Sequence, residues 1–411
     1  MSKVTVVIPV YNVEQYLPAC LDSVLGQSLR DIEIIAIDDA SPDSCPAILD
    51  GYAAKDSRVK VIHLPENHQQ GYGRNRGLER AEGKYVYFLD SDDMITATAM
   101  EELYDLAERD RLDGIFFDSQ TVFENAELER KNSGYAASRK GNYEQRIYGG
   151  RELLDSFFDQ WEWDCYIQRE FWRRDYLLSR GIRFPEGTEH EDEYFAFAAL
   201  LQAERVRWIP EQYFIRRYRE NSVMTREAHP KDFHGYFVNY CKMVRLVESA
   251  GIRSPGADKN ISHMYDLMLR FYPLFMSRED PKDWFKTDEE LFCFRLFQYA
   301  RQHDDYCVER LKALCPQLPP QKPVWIYGAG AIARTAYSSL ERAGYLIKGF
   351  LVSRPEGNPR VLFGHEVCDV SRTSPAEDDI VVIAVSRQYR PEIIRTVEEK
   401  GWNYRVYAGG K

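Results

Sequence analysis

The amino-acid sequence predicts an α/β protein with a mostly parallel central sheet in its N-terminal half. Short apolar runs, typical of buried strands, recur along this part of the chain, at Val4–Val10, Ile32–Ile37, Val59–Leu64, Tyr85–Leu89 and Ile115–Phe117. Between the first four runs lie helical patterns, such as the apolar positions of residues 16–27. Alternating strands and helices are typical of a parallel sheet with helices on its faces.

Length and composition are those of an ordinary globular protein with more than one domain. The chain has 411 residues, of which 29% are charged and 44% hydrophobic, enough for two or three domains with their own cores. The formal net charge of −11 argues against sequence-independent binding of nucleic acid, so we expect no nucleic-acid partner. The eight cysteines show neither CxxC pairs nor metal-ligand spacing, which indicates reduced thiols.

The N-terminal residues MSKVTVVIPVYN are interpreted as a strand, because their apolar run is short and contains Pro9. No stretch reaches the ~18 consecutive apolar residues of a membrane span. We therefore expect a cytoplasmic protein, and leave open a peripheral contact with the inner face of the cell membrane.

Polar residues follow three of the predicted strands, and we expect them to converge. The first strand ends in PVYN, the second in DDASPDS and the fourth in LDSDD. The carboxyl ends of parallel strands lie on one edge of a sheet, where ligands bind. Crowded carboxylates such as Asp90, Asp92 and Asp93 repel one another, and a divalent cation is the usual counter-charge. The alternative is a solvated acidic turn that merely ends the strand.

A glycine-rich stretch with two arginines, Asn67–Gly77, follows the third strand. Small residues let the backbone approach a ligand, and an arginine near a helix start suits a diphosphate. Together with the carboxylates, Arg74 indicates a metal-bound diphosphate and hence a nucleotide. In this interpretation Tyr11 stacks on the base and Asp39 accepts a hydrogen bond from a ring N–H. The alternative is that the arginines lie on a solvated helix face.

These motifs together resemble the N-terminal half of the family 2 glycosyltransferases, an inverting family with the GT-A fold. The resemblance rests on VVIPVYN, the DD pair after the second strand, N-x-x-x-G-x-x-RN-x-G at Asn67–Gly77, and YFLDSDD. It implies a nucleotide-sugar-binding domain and a divalent cation, Mg²⁺ or Mn²⁺, held at Asp92 and Asp93. The predicted donor-binding residues are Pro9, Tyr11, Asn12, Asp39, Arg74, Asp90, Arg217 and Arg219.

A later segment is similar to the part of this family that ends in an ED pair and supplies the catalytic base. It runs from Trp172 through Gly181–Gly187 to Glu189–Glu193, so the resemblance implies that Asp192 is the base. Inverting transfer needs a carboxylate that takes the proton of the acceptor hydroxyl. Neighbouring glutamates should raise the pKa of one carboxyl by like-charge repulsion. The alternative is that the acidic run only complements the N terminus of a helix over Glu193–Glu204.

Arg217–Thr225 resembles the family's R-x-R-E-N-S segment, which implies that Arg217 or Arg219 adds positive charge near the donor diphosphate. A surface turn with paired arginines is the alternative. From residue 227 to residue 318 the pattern is helical and rich in aromatic residues. We interpret it as the core stripe of a helical subdomain rather than as a membrane-binding or lipid-binding surface.

After a proline-rich linker at Pro316–Pro323, the C-terminal segment begins a new strand and helix with a GxGxxA motif at Val324–Ala333. Ser353 and Arg354 follow the second strand in place of an acidic residue, which argues against ordinary NAD binding. We therefore expect a small Rossmann-like α/β domain. The predicted domains are residues 1–226 (GT-A domain), 227–318 (helical subdomain and linker) and 319–411 (Rossmann-like domain).

The sequence thus predicts an inverting glycosyltransferase that moves a sugar from a nucleoside diphosphate, with UDP as the first choice, to a hydroxyl of a polysaccharide or lipid-linked oligosaccharide. Two alternatives remain. One is an NAD(P)-dependent sugar-nucleotide oxidoreductase or epimerase that uses the C-terminal domain. The other is a non-catalytic assembly factor that binds nucleotide sugars. The sequence reveals neither the oligomeric state nor which of Asp92 and Asp93 touches the cation directly.

Overall fold

The computed structural model describes residues 2–131, 139–219, 227–285, 287, 290, 291, 293–295, 297, 298, 323–342, 345–354, 356–385 and 389–406. The chain divides into two compact units. Unit 1 comprises Met1–Asn239 and Arg253–Leu267, and unit 2 comprises Tyr240–Ile252 and Met268–Lys411. The domain boundaries given above, after residues 226 and 318, stay a prediction.

Unit 1 is built on one mixed sheet. Its strands are β1 (Val4–Val10), β2 (Ile32–Asp38), β3 (Val59–His63), β4 (Tyr85–Phe88), β5 (Met94–Ile95), β6 (Gly114–Phe123), β7 (Glu170–Arg173) and β8 (Val206–Tyr218). They are ordered β3-β2-β1-β4-β7-β6-β8-β5. Only β7 and β5 run antiparallel to their neighbours, so the other six strands share one direction. The predicted mostly parallel sheet is confirmed.

Helices cover the sheet of unit 1. They are α1 (Leu17–Leu25), α2 (Cys45–Ala53), α3 (Gln69–Arg80), α4 (Ala99–Asp110), α5 (Ala126–Lys131), α6 (Gly150–Asp159), α7 (Arg174–Ser179) and α8 (Glu191–Gln202), with a 3-10 turn at Ile167–Arg169. The predicted acidic helix is α8, which begins and ends two residues before the expected positions. Every residue of β1 and of β2 is buried, as expected for central parallel strands.

The carboxyl ends of β1, β2 and β4 lie on one edge of the sheet, because Val10 pairs with Asp38 and Val7 with Phe88. The close packing of α3 on this edge depends on a glycine. A Cβ atom at Gly77 would lie 2.3 Å from Cγ1 of Val7. The polar residues that follow the three strands are therefore neighbours, as the sequence predicted.

Two long helices follow unit 1's sheet in the chain, α9 (Pro230–Ser249) and α10 (Pro255–Arg278), and a short helix, α11 (Pro281–Trp284), comes next. The aromatic stripe of α9 is buried, as predicted for a core stripe, at Phe233, Phe237, Tyr240, Met243, Val244 and Val247. Within the described residues, none of the helices combines the length and the apolar character needed to cross a bilayer. Most of the predicted linker, residues 316–322, lies outside the described residues.

Unit 2 contains a second α/β sheet, as predicted. Its elements are β9 (Val324–Tyr327), α12 (Ala331–Arg342), β10 (Ile347–Val352), β11 (Val361–Leu362), β12 (His365–Asp369), β13 (Ile380–Ile383), α13 (Arg390–Glu399) and β14 (Tyr404–Val406). The order is β11-β12-β10-β9-β13-β14, with only β11 antiparallel. The turn after β9 needs Gly328, whose φ is +127° and whose Cβ would lie 2.6 Å from the carbonyl oxygen of Ala384.

Candidate active site

The four residues Asp90–Asp93, here called the acidic loop, connect β4 to β5. The loop is tightened by a bond from the N–H of Asp93 to the carbonyl oxygen of Asp90, at 3.1 Å. Directly after it, Met94 pairs with Ile215 of β8. This pairing holds the acidic loop against the C-terminal end of β8, where Arg217 and Arg219 lie.

Both predicted arginines at the end of β8 contact the acidic loop. Arg219 Nε donates to Asp92 Oδ2 at 2.8 Å, and the backbone N–H of Arg217 donates to Asp93 Oδ1 at 2.7 Å. Arg217 Nε also donates to the carbonyl oxygen of Asp92, at 3.0 Å. The structure therefore brings these four residues together. Residues 220–225 of the R-x-R-E-N-S segment lie outside the described residues.

Tyr16 is a site residue that the sequence interpretation missed. Its ring packs under the guanidinium groups of Arg217 and Arg219, at 5.3 and 5.2 Å from the ring centroid. Its hydroxyl donates to Glu124 Oε1 at 2.6 Å. In the sequence Tyr16 was only one position of an amphipathic helical pattern, and nothing there indicates a partner on β8. The ring orients both arginines beside the acidic loop.

Arg74 joins the acidic loop to the helix of the predicted base. Its guanidinium is buried and donates to Asp90 Oδ1 at 2.7 Å and to Glu191 Oε1. The second oxygen of Asp90, Oδ2, accepts a bond from Gln168 Nε2 at 2.6 Å. A buried guanidinium is stable only when carboxylates surround it in this way. The sequence placed Arg74 at a diphosphate, and that role stays a prediction. Nothing in the sequence indicated that Gln168 would contact Asp90.

The spacing of glycine and asparagine in α3 has a packing cause. A Cβ atom at Gly71 would lie 2.3 Å from the carbonyl oxygen of Pro185, so only glycine permits this approach. Asn75 Nδ2 donates to the carbonyl oxygen of Phe184 at 2.9 Å, and the N–H of Phe184 donates back to Asn75 Oδ1 at 3.0 Å. The glycine and asparagine of this motif therefore dock the segment that leads into α8.

Asp192 lies in the first turn of α8. Burial raises its pKa, while the positive charge of Arg74 opposes that rise. Burial also raises the pKa of Glu191 to about 7 and that of Glu193 to about 8. The sequence interpretation attributed such shifts to like-charge repulsion, but burial is the larger cause. A carboxyl with a raised pKa is suited to accept a proton near neutral pH.

The predicted nucleoside side lies at the ends of β1 and β2. Asp39 is buried, its Oδ1 accepts a bond from the N–H of His68 at 2.8 Å, and burial raises its pKa. Tyr11 is 47% exposed, so its ring is accessible for stacking. Asn12 has a φ of +55°, and its N–H donates to Ser41 Oγ at 3.3 Å. A Cβ atom at Gly73 would lie 3.6 Å from the Cβ of Pro9, so Pro9 packs against this part of α3.

The acidic loop fits a divalent cation. Asp92 and Asp93 each use one carboxylate oxygen for the bonds to Arg219 and Arg217, and the second oxygen of a carboxylate can coordinate a hard cation. Burial and repulsion by neighbouring aspartates raise the pKa of both carboxyls, and a positive charge beside them would oppose that rise.

A second cluster with metal-ligand types, Glu189, His190 and Asp232, lies near the start of α8, with its ligand atoms within 4.8 Å of one another. His190 Nε2 is bonded to Asp232 Oδ1 at 3.0 Å, and Asp232 Oδ2 accepts the N–H of His229 at 2.7 Å. The His190 ring also stacks on Tyr236. These contacts already occupy the imidazole and the Asp232 carboxylate, so we interpret the two side chains as a structural pair.

Comparison with known proteins identifies the family of the N-terminal domain. Residues 5–178 match the family model described as Glycosyl transferase family 2. The uncharacterized glycosyltransferase EpsJ of Bacillus subtilis (strain 168) is 28% identical over 315 residues, which is 75% of this chain and 88% of EpsJ. The minor teichoic acid biosynthesis protein GgaA of the same strain is 30% identical over 256 residues, which is 60% of this chain and 54% of GgaA.

Among solved structures, residues 1–349 of S. aureus TarS in complex with UDP-GlcNAc match with a TM-score of 0.52 and 20% identity, over 75% of this chain and 90% of that chain. At this identity the likeness shows the fold alone, which is the GT-A fold. The activity is inferred from the family match and from the relatives named as glycosyltransferases. Residues 5–178 therefore form a family 2 glycosyltransferase domain, and the chain is a glycosyltransferase that transfers a sugar from a nucleotide sugar.

Proposed function

We propose that this enzyme transfers a sugar from a UDP-sugar to a hydroxyl of a growing cell-envelope polysaccharide or lipid-linked oligosaccharide, with inversion at the anomeric carbon. The observation that carries the proposal is the bridge from Asp90 through Arg74 to Glu191. This bridge fixes the acidic loop, where a diphosphate would be bound, relative to the helix that holds Asp192.

The relatives favour this choice of donor and acceptor. TarS was crystallised with UDP-GlcNAc and with UDP, and GgaA is named for teichoic acid biosynthesis. In the proposed donor site the accessible ring of Tyr11 stacks on the base, Asp39 accepts the ring N–H, and Pro9 and Asn12 shape the loop beside them. Membership of family 2 favours this transferase over the oxidoreductase and the assembly factor.

Asp92 is the residue that we propose as the direct ligand of a divalent cation. Its side chain is 21% exposed, whereas Asp93 is buried and bonded to the backbone of β8. Mg²⁺ and Mn²⁺ both accept such hard oxygen ligands. When bound, the cation neutralises the charge that develops on the leaving diphosphate. Arg217 and Arg219 add positive charge to the same place.

Asp192 is the proposed general base. It takes the proton of the acceptor hydroxyl while that oxygen forms a bond to the anomeric carbon. The bond from the anomeric carbon to the diphosphate breaks on the opposite face, and the electron pair leaves with the diphosphate. A single displacement of this kind inverts the anomeric configuration. Arg74 opposes protonation of Asp192 and so keeps the carboxylate available.

A screen of the purified protein tests the donor and the cation together. UDP-, GDP- and CDP-sugars are offered with Mg²⁺ or Mn²⁺, and release of nucleoside diphosphate is measured for the wild type and for Asp92→Asn. The control is Asp175→Asn, whose side chain is 73% exposed. We expect the wild type to release UDP from a UDP-sugar only when the cation is present. Release should fall in Asp92→Asn and stay at the wild-type level in Asp175→Asn. Equal release by the wild type and Asp92→Asn would refute the cation site.

A further inference from the structure

Trp161 has an unusual combination of exposure and backbone conformation. It lies after α6, is 92% exposed and has a φ of +59°. A bulky residue rarely adopts this left-handed region. Here the conformation forms the C-terminal cap of α6, because the N–H of Trp161 donates to the carbonyl oxygen of Phe158 at 3.3 Å and that of Glu162 to the carbonyl oxygen of Phe157 at 2.9 Å. An indole ring that the fold leaves almost fully exposed is available to stack on a ligand, which makes Trp161 a candidate binding residue.

The two neighbours of Trp161 hold its backbone in place. Gln160 Oε1 accepts a bond from the N–H of Asn142 at 2.8 Å. Glu162 Oε2 accepts bonds from the N–H of Gly141 at 2.9 Å and from the hydroxyl of Tyr143 at 2.7 Å. Trp161 is therefore presented to solvent from a fixed backbone, which lowers the entropy lost on binding.

The segment that begins at Trp161 continues to the base and to the acidic loop. Burial and the nearby carboxyls of Asp192 and Glu193 raise the pKa of the Cys165 thiol, and Gln168 Nε2 donates to Asp90 Oδ2. Four residues span at most about 14 Å, so Trp161 lies within this distance of Cys165. Midway, Asp164 Oδ2 accepts a bond from Arg169 Nη1 at 2.9 Å. The segment thus connects an exposed ring to the proposed reaction centre.

We propose that Trp161 is a stacking platform for a sugar ring of the acceptor saccharide, a few sugar residues from the hydroxyl that reacts. This inference rests on the proposed function. A pyranose ring presents a face of C–H groups that packs on an indole ring, while its hydroxyls stay in water. The flanking residues Gln160 and Glu162 are polar, which suits a ligand whose hydroxyls stay in water.

A neutral saccharide fits this surface better than a nucleotide does. The proposed nucleoside site lies at the ends of β1 and β2, whereas the segment from Trp161 leads into β7, on the other side of β4 in the sheet. A glutamate at position 162, next to Trp161 in the chain, disfavours an anionic ligand such as a nucleic acid.

The test compares Trp161→Ala and Trp161→Phe with the wild type on an array of neutral oligosaccharides of bacterial type, with UDP binding measured by calorimetry as the control. We expect the wild type to bind a neutral oligosaccharide and Trp161→Ala to lose about tenfold or more in affinity. Trp161→Phe should lose about threefold or less, because it keeps a ring. UDP affinity and nucleotide-sugar cleavage should be unchanged in both variants.

A second variant, Trp161→Asn, removes the ring while tolerating the left-handed conformation, so a folding defect is not expected. It should lose saccharide binding as Trp161→Ala does. Saccharide binding that survives in both ringless variants would overturn the platform, as would a wild type that binds UDP but no saccharide. A wild type that neither binds UDP nor cleaves any nucleotide sugar would instead overturn the proposed function, and the platform with it.

Discussion

Arg74 and Glu191 lie 117 positions apart in the chain, yet their side chains are bonded in the interior of unit 1. Because the same guanidinium is bonded to Asp90, one residue of α3 links the acidic loop to the helix that carries Asp192. The motif around Arg74 therefore has a structural task besides any contact with the donor. In the proposed mechanism it sets the distance between the place where the diphosphate leaves and the carboxylate that accepts the proton.

The first prediction concerns this link. Lysine at position 74 keeps the positive charge, but its single nitrogen cannot reproduce the planar fork that reaches both carboxylates. We expect Arg74→Lys to lower the rate of sugar transfer about 10²-fold through misplacement of the base. The free energy of unfolding should fall by about 1–3 kcal/mol because a buried partner is left unsatisfied. Steady-state kinetics and urea unfolding measure the two effects.

The matched control is Arg76→Lys, two residues further along α3, where the side chain is 36% exposed and paired with Glu79. An exposed pair contributes ~0–1 kcal/mol, so this variant should behave as the wild type does. If Arg74→Lys were as active and as stable as Arg76→Lys, the link would have no functional importance.

The second prediction separates Asp92 from Asp93. Asparagine at position 93 can still accept the N–H of Arg217 through Oδ1, and it removes a buried charge. Asp93→Asn should therefore unfold at the same temperature as the wild type or slightly higher, and keep much of its activity. Asp92→Asn should need about tenfold more Mg²⁺ or Mn²⁺ for half-maximal activity. The measurement is nucleoside diphosphate release as a function of cation concentration in both variants. A higher cation requirement in Asp93→Asn than in Asp92→Asn would make Asp93 the direct ligand.

The third prediction concerns the pH dependence of stability. Glu170 on β7 is buried, its Oε2 accepts a bond from Trp172 Nε1 at 2.8 Å, and burial raises its pKa from 4.5 to about 8. Between these two values the folded state binds more protons than the unfolded state, so the free energy of unfolding falls as pH rises. Above about pH 8 the free energy of unfolding has fallen by the full amount, on the order of a few kcal/mol.

Glu170→Gln removes this titration, since glutamine stays neutral. Its stability relative to the wild type should therefore increase from pH 5.5 to pH 8.5 in urea unfolding. The same substitution at the exposed Glu211 serves as the control and should leave the pH profile unchanged. A constant difference between Glu170→Gln and the wild type over this range would show that Glu170 does not titrate there.

Much of the sheet could be predicted from sequence because β1, β2 and β4 are buried on both faces and so form continuous apolar runs. β7 could not, since its four residues, Glu170–Arg173, include two that are charged. It lies antiparallel between β4 and β6, where its tryptophan donates a hydrogen bond to its glutamate. Pairing across 50 or more positions leaves no local pattern in such a short strand.

The candidate site was predictable where residue types carry the chemistry. The acidic loop and the arginines at the end of β8 are recognisable from their charges, and the structure brings them into contact. Gln168 and Tyr16 could not be found in this way, because a glutamine or tyrosine has many ordinary uses. Their partners, Asp90 and Arg217, come from distant parts of the chain. Only the folded sheet defines these contacts.

The general base is tested most directly by Asp192→Asn. Asparagine has nearly the shape of aspartate but cannot take a proton from the acceptor hydroxyl. Two quantities are measured in this variant and in the wild type. They are the rate of sugar transfer to a hydroxyl acceptor and the affinity for the donor nucleotide. We expect nucleotide affinity to stay within about twofold and transfer to fall by about 10²–10⁴-fold. Transfer at the wild-type rate in Asp192→Asn would contradict the central claim that Asp192 activates the acceptor.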